Sequence, residues 1–184
     1  MKELSLNILD IAENSIKACA SVTEIILTEN DDMLTISIAD NGCGMPEDVV
    51  RAVTDPFYTT RTTRKVGLGI PLFKMAAEQT GGSFTIISKT KEEHPESHGT
   101  EVIATFYKEH LDFTPLGDVI STVTTLIHGH PDRDFCFSHK INDESISLDT
   151  REIRAVIDDI PLNSYEILNW IEENLKEQYS EIAK

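Results

Sequence analysis

Asp10, Asn14 and Lys17 stand at i, i+4 and i+7, so a helix would present all three on one face. Asp40 opens a second stretch, Asp40-Asn41-Gly42-Cys43-Gly44-Met45. A hairpin turn would need Asn41-Gly42 alone. The second glycine marks a position with unusual dihedrals, or one that another group approaches closely. A third block, "PFYTTRTTRKVGLG" (56–69), holds the cationic cluster Arg61, Arg64 and Lys65 and ends on Gly67-Leu68-Gly69 ahead of a helical pattern. Free N–H groups at a helix start favour an anion. Together these residues supply a carboxylate for the amino group of a base, a face able to hold Mg²⁺, and a phosphate cradle, which is the inventory of a nucleotide site.

The elements that must position them follow from periodicity. Residues 3–20 place Leu4, Ile8, Ile11 and Ser15 on one stripe, with Leu9, Ala12, Ile16 and Cys19 beside it, which predicts an amphipathic helix. Residues 22–29 and 33–40 alternate as strands around Asn30-Asp31-Asp32 and read as a hairpin ending on Asp40. A short helix is expected after Pro46, and a second from Gly69 to the stop at Gly81-Gly82. Strands are expected at 83–88 and 99–107. Beyond residue 108 the pattern predicts a helix closed by Gly129 and Pro131, a hairpin about Asn142-Asp143, and two helices at 150–160 and 163–179, the last capped by Asn163 or Ser164. Hairpins interspersed with helices indicate an α+β fold, a two-layer α/β sandwich over 1–108 with a helix–hairpin–helix extension over 109–184.

The chain has 184 residues and a formal charge of −16. Residues 1–108 carry 10 basic and 16 acidic side chains, and residues 109–184 carry 6 and 16, so neither half suits nucleic acid or an anionic membrane. No apolar run approaches a membrane span, and the N-terminus lacks the apolar core of a signal peptide; a cytoplasmic protein is expected. Cys19, Cys43 and Cys136 are odd in number and far apart, which fits reduced thiols and not a disulfide framework. "HGHPDRD" (128–134) alternates like metal ligands, but Gly129 and Pro131 are explained as a helix stop, and the turn reading is preferred. No "GxxxxGK[ST]" and no "GxGxxG" occurs, so the common rival nucleotide motifs are missing.

Each block alone has a plain explanation: a turn at Asp40-Asn41-Gly42, a solvated helix face at Glu13-Asn14, a loop closure at Gly67-Leu68-Gly69. Their order and spacing are less ordinary. "LDIAENSIKA" resembles the N box of the GHKL superfamily, "DNGCGM" its first glycine box, "PFYTT" its F box, "GLGIPL" its second glycine box, and "GTEV" (99–102) the Gly-Thr near its last core strand. The superfamily includes gyrase, the heat-shock chaperone, histidine kinases and mismatch-repair ATPases, and the match covers residues 1–108. The resemblance implies ATP and Mg²⁺ as ligands. Asp40 would accept the adenine amino group, with Thr100 helping through a water, and Gly42, Gly44 and Met45 would line the base. Asn14 would ligate Mg²⁺ and Lys17 would meet a phosphate. Residues 54–66 would form a lid with Thr60, Arg61, Arg64 and Lys65 as phosphate contacts, and Gly67, Leu68 and Gly69 would be hinge and cradle.

The family's hydrolysing and serine-kinase branches place a Glu general base four residues before the N-box Asn. Here that position is Asp10, one methylene shorter; Glu13 lies elsewhere on the helix. None of the six histidines lies on a helix ahead of the N box, so the phosphoacceptor segment of a sensor kinase is not expected. The resemblance implies an ATPase or kinase acting on an unidentified protein partner, with a homodimer as one arrangement. The other reading is a nucleotide-gated binding module that never turns ATP over, docking through the last helix (Tyr165, Leu168, Ile171, Leu175), unless that face packs on the sheet.

Overall fold

The computed structural model describes residues 3–55 and 67–183. In chain order the elements are α1 (Leu4–Lys17), β1 (Val22–Glu29), β2 (Met33–Asp40), α2 (Glu47–Thr54), α3 (Gly69–Gln79), β3 (Ser83–Lys89), β4 (Gly99–Tyr107), α4 (Val119–Gly129), β5 (Asp134–Ile141), β6 (Glu144–Asp149), α5 (Thr150–Ile157) and α6 (Tyr165–Ile182). The strands form one sheet in the order β3-β4-β2-β1-β5-β6. All neighbours are antiparallel except β1 and β5, which run parallel with Val22 opposite Asp134. The sheet therefore continues past residue 108: the hairpin β5–β6 extends it from the free side of β1.

Strand alternation sends one set of side chains to the helices and the other to solvent. Ile25 and Leu27 of β1, Ile36 and Ile38 of β2, Val102 and Phe106 of β4, and Phe135 and Phe137 of β5 are buried in one cluster with Leu4 and Ile8 of α1, Phe73 of α3, Leu126 of α4, and Ile171 and Leu175 of α6. The other face carries Glu24, Ile26, Thr85 and Ile87 to solvent. This is the two-layer α+β sandwich that the patterns predict. Among the described residues no helix is long and apolar enough to cross a membrane.

Element ends have local causes. Helix α1 stops at Lys17, three residues before the pattern does, because Cys19 turns to φ 60°. Helix α5 stops at Ile157 because Asp158 takes φ 56°. Pro71 sits in the first turn of α3, where its missing N–H breaks no intrahelical bond. Ser164 caps α6 by position only: its hydroxyl is buried without a hydrogen-bond partner. At the outer edge of the sheet, the Gln178 side chain accepts from the Ser147 N–H at 3.0 Å and donates to the Ser147 carbonyl at 3.1 Å. A side-chain amide of α6 thus takes the place of a neighbouring strand at that point of β6.

Candidate functional site

Helix α1 buries Ile8, Ile11 and Ser15, which leaves Asp10 and Lys17 exposed and Asn14 half-buried. Among the described residues none of the side chains of Asp10, Asn14 and Lys17 has a hydrogen-bond or ion-pair partner. Glu13 is committed elsewhere, its Oε1 lying 2.8 Å from Nε2 of His130 at the end of α4. The free face of α1 therefore offers carboxylate, amide and ammonium side by side.

Asp40 closes β2, and both its oxygens are held. Ser15 Oγ donates to Oδ2 at 2.7 Å, and the Gly42 N–H donates to Oδ1 at 2.8 Å. Each oxygen keeps further acceptor capacity. Thr100 lies directly across from Asp40 in β4, and Ser88 lies across from Thr100 in β3. The hydroxyls of Thr100 and Ser88 are 2.8 Å apart; Ser88 Oγ also accepts the Met45 N–H at 2.7 Å and lies 3.2 Å from the Gly99 carbonyl. Three polar side chains thus form a row across three strands, and Met45 is tied to the end of that row.

The glycine loop after Asp40 is fixed from several sides. Asn41 Oδ1 accepts the N–H groups of Ser21 and Val22 at 2.9 and 3.0 Å. The Cys43 N–H donates to the Ala18 carbonyl at 2.9 Å, and His98 Nδ1 lies 2.5 Å from the Gly42 carbonyl. A Cβ on Gly42 would come within 2.8 Å of the Ala18 carbonyl, and one on Gly44, which has φ +70°, within 1.9 Å of the Lys89 carbonyl. The bareness of both glycines is used by the chain's own backbone, pressing the loop onto the end of α1 and the end of β3.

At Gly69 the start of α3 meets α1: a Cβ there would lie 3.1 Å from Cβ of Asp10. The first turn offers the N–H groups of Gly69 and Ile70 beside the free face of α1. Leu68 precedes it as N-cap and is exposed, and Gly67 has open space around it. The structure therefore brings Asp10 against Gly69, with Asn14 and Lys17 one and two turns further along the same face of α1, and Asp40, Gly42, Gly44, Met45 and Thr100 to one end of the sheet. Ser15 joins the two groups. Thr60, Arg61, Arg64 and Lys65 lie outside the described residues.

Sequence reasoning missed Ser15, Ser88 and His98 as partners of the site. Ser15 carried a signal, since a polar residue on an apolar stripe must find a partner when buried. Ser88 and His98 carried none. The "HGHPDRD" segment is occupied by structural contacts: His130 meets Glu13, while Asp134 accepts from Thr150 Oγ1 and Arg154 Nε, both at 2.8 Å. Among the described residues no group of three His, Cys, Asp or Glu side chains is placed to hold a metal ion.

Glu29, Tyr179 and Cys136, all away from this site, titrate outside their ordinary ranges. The His139 ring beside Glu29 holds the Glu29 carboxyl below its ordinary range, with Lys108 assisting and burial opposing. His139 Nε2 is 3.5 Å from Glu29 Oε2, and His139 Nδ1 is 2.8 Å from the Tyr179 hydroxyl, whose pKa burial pushes up. Burial, with Asp149 adding to it, pushes the Cys136 thiol up to about 11.

Known proteins place this geometry. A putative sensor protein of Shewanella frigidimarina is 30% identical over 91 residues, 47% of this chain and 14% of that protein. The signal transduction histidine-protein kinase AtoS of Escherichia coli is 32% identical over 88 residues, 48% of this chain and 14% of its own length. The chain thus spans a small part of the curated relatives it matches. In fold it is similar to the MutL ATPase domain of Aquifex aeolicus complexed with ADP, with a TM-score of 0.57 at 14% identity over 98% of this chain and 70% of that one. The family model for the histidine kinase-, DNA gyrase B- and HSP90-like ATPases matches residues 2–110. Those residues hold the strand-end carboxylate, the free face of α1 and the start of α3, and the chain belongs to that family, the GHKL superfamily of ATP-binding domains.

Proposed function

We propose that this chain binds Mg-ATP in the cytoplasm and phosphorylates or regulates a protein partner, with slow ATP hydrolysis as a side activity. The observation that carries the reading is Asp40, a half-buried strand-end carboxylate held by Ser15 and the Gly42 N–H with Thr100 across from it. A carboxylate so fixed has acceptor capacity left for an exocyclic amino group and needs no rearrangement to use it. Net charge favours a protein partner over nucleic acid or an anionic membrane.

The residues present fit Mg²⁺. The amide oxygen of Asn14 is a hard donor, half-buried and without a partner among the described residues, as suits an ion that keeps several waters and takes few protein ligands. Bound Mg-ATP would supply the phosphoryl group and the cation that neutralises its charge. Asn14 would hold the cation, Lys17 and the N–H groups of Gly69 and Ile70 would meet phosphate oxygens, and Asp10 would orient or deprotonate the nucleophile. In phosphoryl transfer such positioning does most of the catalytic work.

Asp10 also favours a second reading. Its carboxylate is one methylene shorter than the Glu of the family's hydrolysing members, and it lies against Gly69 at the start of α3. A displacement of about 1 Å can lower a rate on the order of 10²-fold. A nucleotide-gated binding module without turnover would keep every other contact.

Calorimetric titration with ATP, with and without Mg²⁺, tests binding; phosphate release from wild type beside Asp10→Asn tests turnover. Heat of binding that requires Mg²⁺ and an affinity at least tenfold weaker in Asp40→Asn support the site, and no binding by the wild type overturns it. Release abolished by Asp10→Asn makes Asp10 the base, whereas binding without release excludes a free-standing ATPase and leaves a partner-dependent kinase or the gated module.

A further inference from the structure

At the outer edge of the sheet, three strands away from β2, a groove of about 540 Å³ runs between α5, α6 and the edge of β6. Leu148 and Ile153 are buried at its base, and Ile157 and Ile167 line its sides. Val156 and Trp170, 84% and 51% exposed, stand at its mouth. Exposure of this kind, concentrated on two facing helices, is unusual for apolar side chains with a core to join.

The surrounding charge says what would cover it. Residues 150–184 hold eight acidic and four basic side chains. Three of those cations are already engaged, Arg151 by Asp149, Arg154 by Asp134 and Lys176 by Glu172. Glu152, which lines the groove, has no cation partner among the described residues, and neither do Asp158 and Asp159 at the end of α5 or Glu166 at the start of α6. A second copy carrying −16 would bring like charge to this rim. The backbone of β6 also limits the shape of the occupant. Gln178 takes both the N–H and the carbonyl of Ser147, so an incoming strand cannot pair there, and a helix presenting side chains can still enter.

We propose that the groove between α5 and α6 is a docking site for a cationic amphipathic helix of a protein partner. Apolar side chains on one face of that helix fill the groove between Val156 and Trp170, and flanking Lys or Arg side chains meet Glu152 and the acidic turn after α5. The inference supplies the partner chemistry that the proposed function leaves open. It rests on the groove, so its test is run without nucleotide and is unaffected if the ATP site fails.

Trp170 is the chain's one tryptophan and reports on the groove directly. The full chain is titrated at about 0.15 M salt, where long-range attraction is screened, with an 18-residue helical peptide of leucines and lysines and with its twin in which glutamate replaces lysine. The expected result is a saturable blue shift of Trp170 emission with the lysine peptide and none with the glutamate peptide. Glu152→Gln is expected to weaken binding severalfold. Val156→Asp, at an exposed position that leaves the fold intact, is expected to weaken it tenfold or more although it adds negative charge. Three outcomes overturn the proposal: no saturable shift; equal or tighter binding by Val156→Asp, which would mean mere adhesion to an acidic surface; or a blue shift that grows with protein concentration alone and accompanies dimers in sedimentation, which would make a second copy the occupant.

Discussion

Ser15 donates its hydroxyl proton to Asp40 Oδ2 across 2.7 Å, from a helix position only 3% exposed. The bond joins the helix that carries Asn14 to the strand end that carries the carboxylate. A hydrogen bond to a charged group contributes about 1.5–3 kcal/mol, so Asp40→Asn is expected to weaken ATP binding by roughly 10- to 100-fold. Ser15→Ala leaves the charge and removes only its orientation, and is expected to weaken binding about three- to tenfold. Titration calorimetry on the two variants checks the order.

The glycines of the site separate into those the fold requires and one, Gly67, that it does not. Gly44→Ala drives a Cβ into the Lys89 carbonyl at a positive φ, whereas a Cβ on Gly67 meets nothing within 4 Å. The first substitution is expected to destabilise the chain by about 1–3 kcal/mol, from strain and a displaced loop. The second should leave the melting temperature nearly unchanged, so any effect of Gly67→Ala falls on nucleotide binding. Thermal melts of both, with and without ATP, check this.

Cys19 and Cys43 are exposed and Cys136 is not. With its thiol pushed up to about 11, Cys136 holds almost no thiolate at pH 8, and the thiolate is the reacting form. Mass spectrometry after brief iodoacetamide treatment at that pH is expected to find Cys19 and Cys43 modified and Cys136 nearly untouched. Added ATP is expected to slow Cys43, which sits between the two site glycines.

Glu29 sets part of the acid limit of stability. Its carboxyl is held below the ordinary 4.5 by His139, so its contribution is fully present above that value and is lost as pH falls through the lower folded value. The gap in urea midpoint between wild type and Glu29→Gln is expected to be constant from neutral pH down to about 5 and to close below about 4.5. A gap that widens on acidification would contradict the assignment.

The sequence disclosed elements and boxes more readily than partners. Alternation at 22–29 and 134–141 marks two strands with one buried face each, but period-two patterning carries no information about which strand lies beside which. The pairing of β1 with β5, and with it the continuation of the sheet beyond residue 108, was therefore illegible. The last helix shows the same limit: Ile171 and Leu175 enter the core, while Tyr165 on the same stripe stays 79% exposed, because the stripe outruns the surface that α6 packs against. In the site, Asp40 and Asn14 were visible through their spacing. Ser88 and His98 were not, since their role comes from register and loop path.

The parallel pairing of β1 and β5 also sets a timetable. Residues Val22 and Asp134 are neighbours in space but roughly 110 residues apart in the chain. During synthesis the hairpin of β1 and β2 can close at once, while the other edge of β1 must wait for the last third of the protein to leave the ribosome. A contact of such long range closes late and slows folding. For that interval Ile25 and Leu27 lie on a strand with one unpaired edge, so this newborn chain is most open to misassociation in the period before residue 141 emerges.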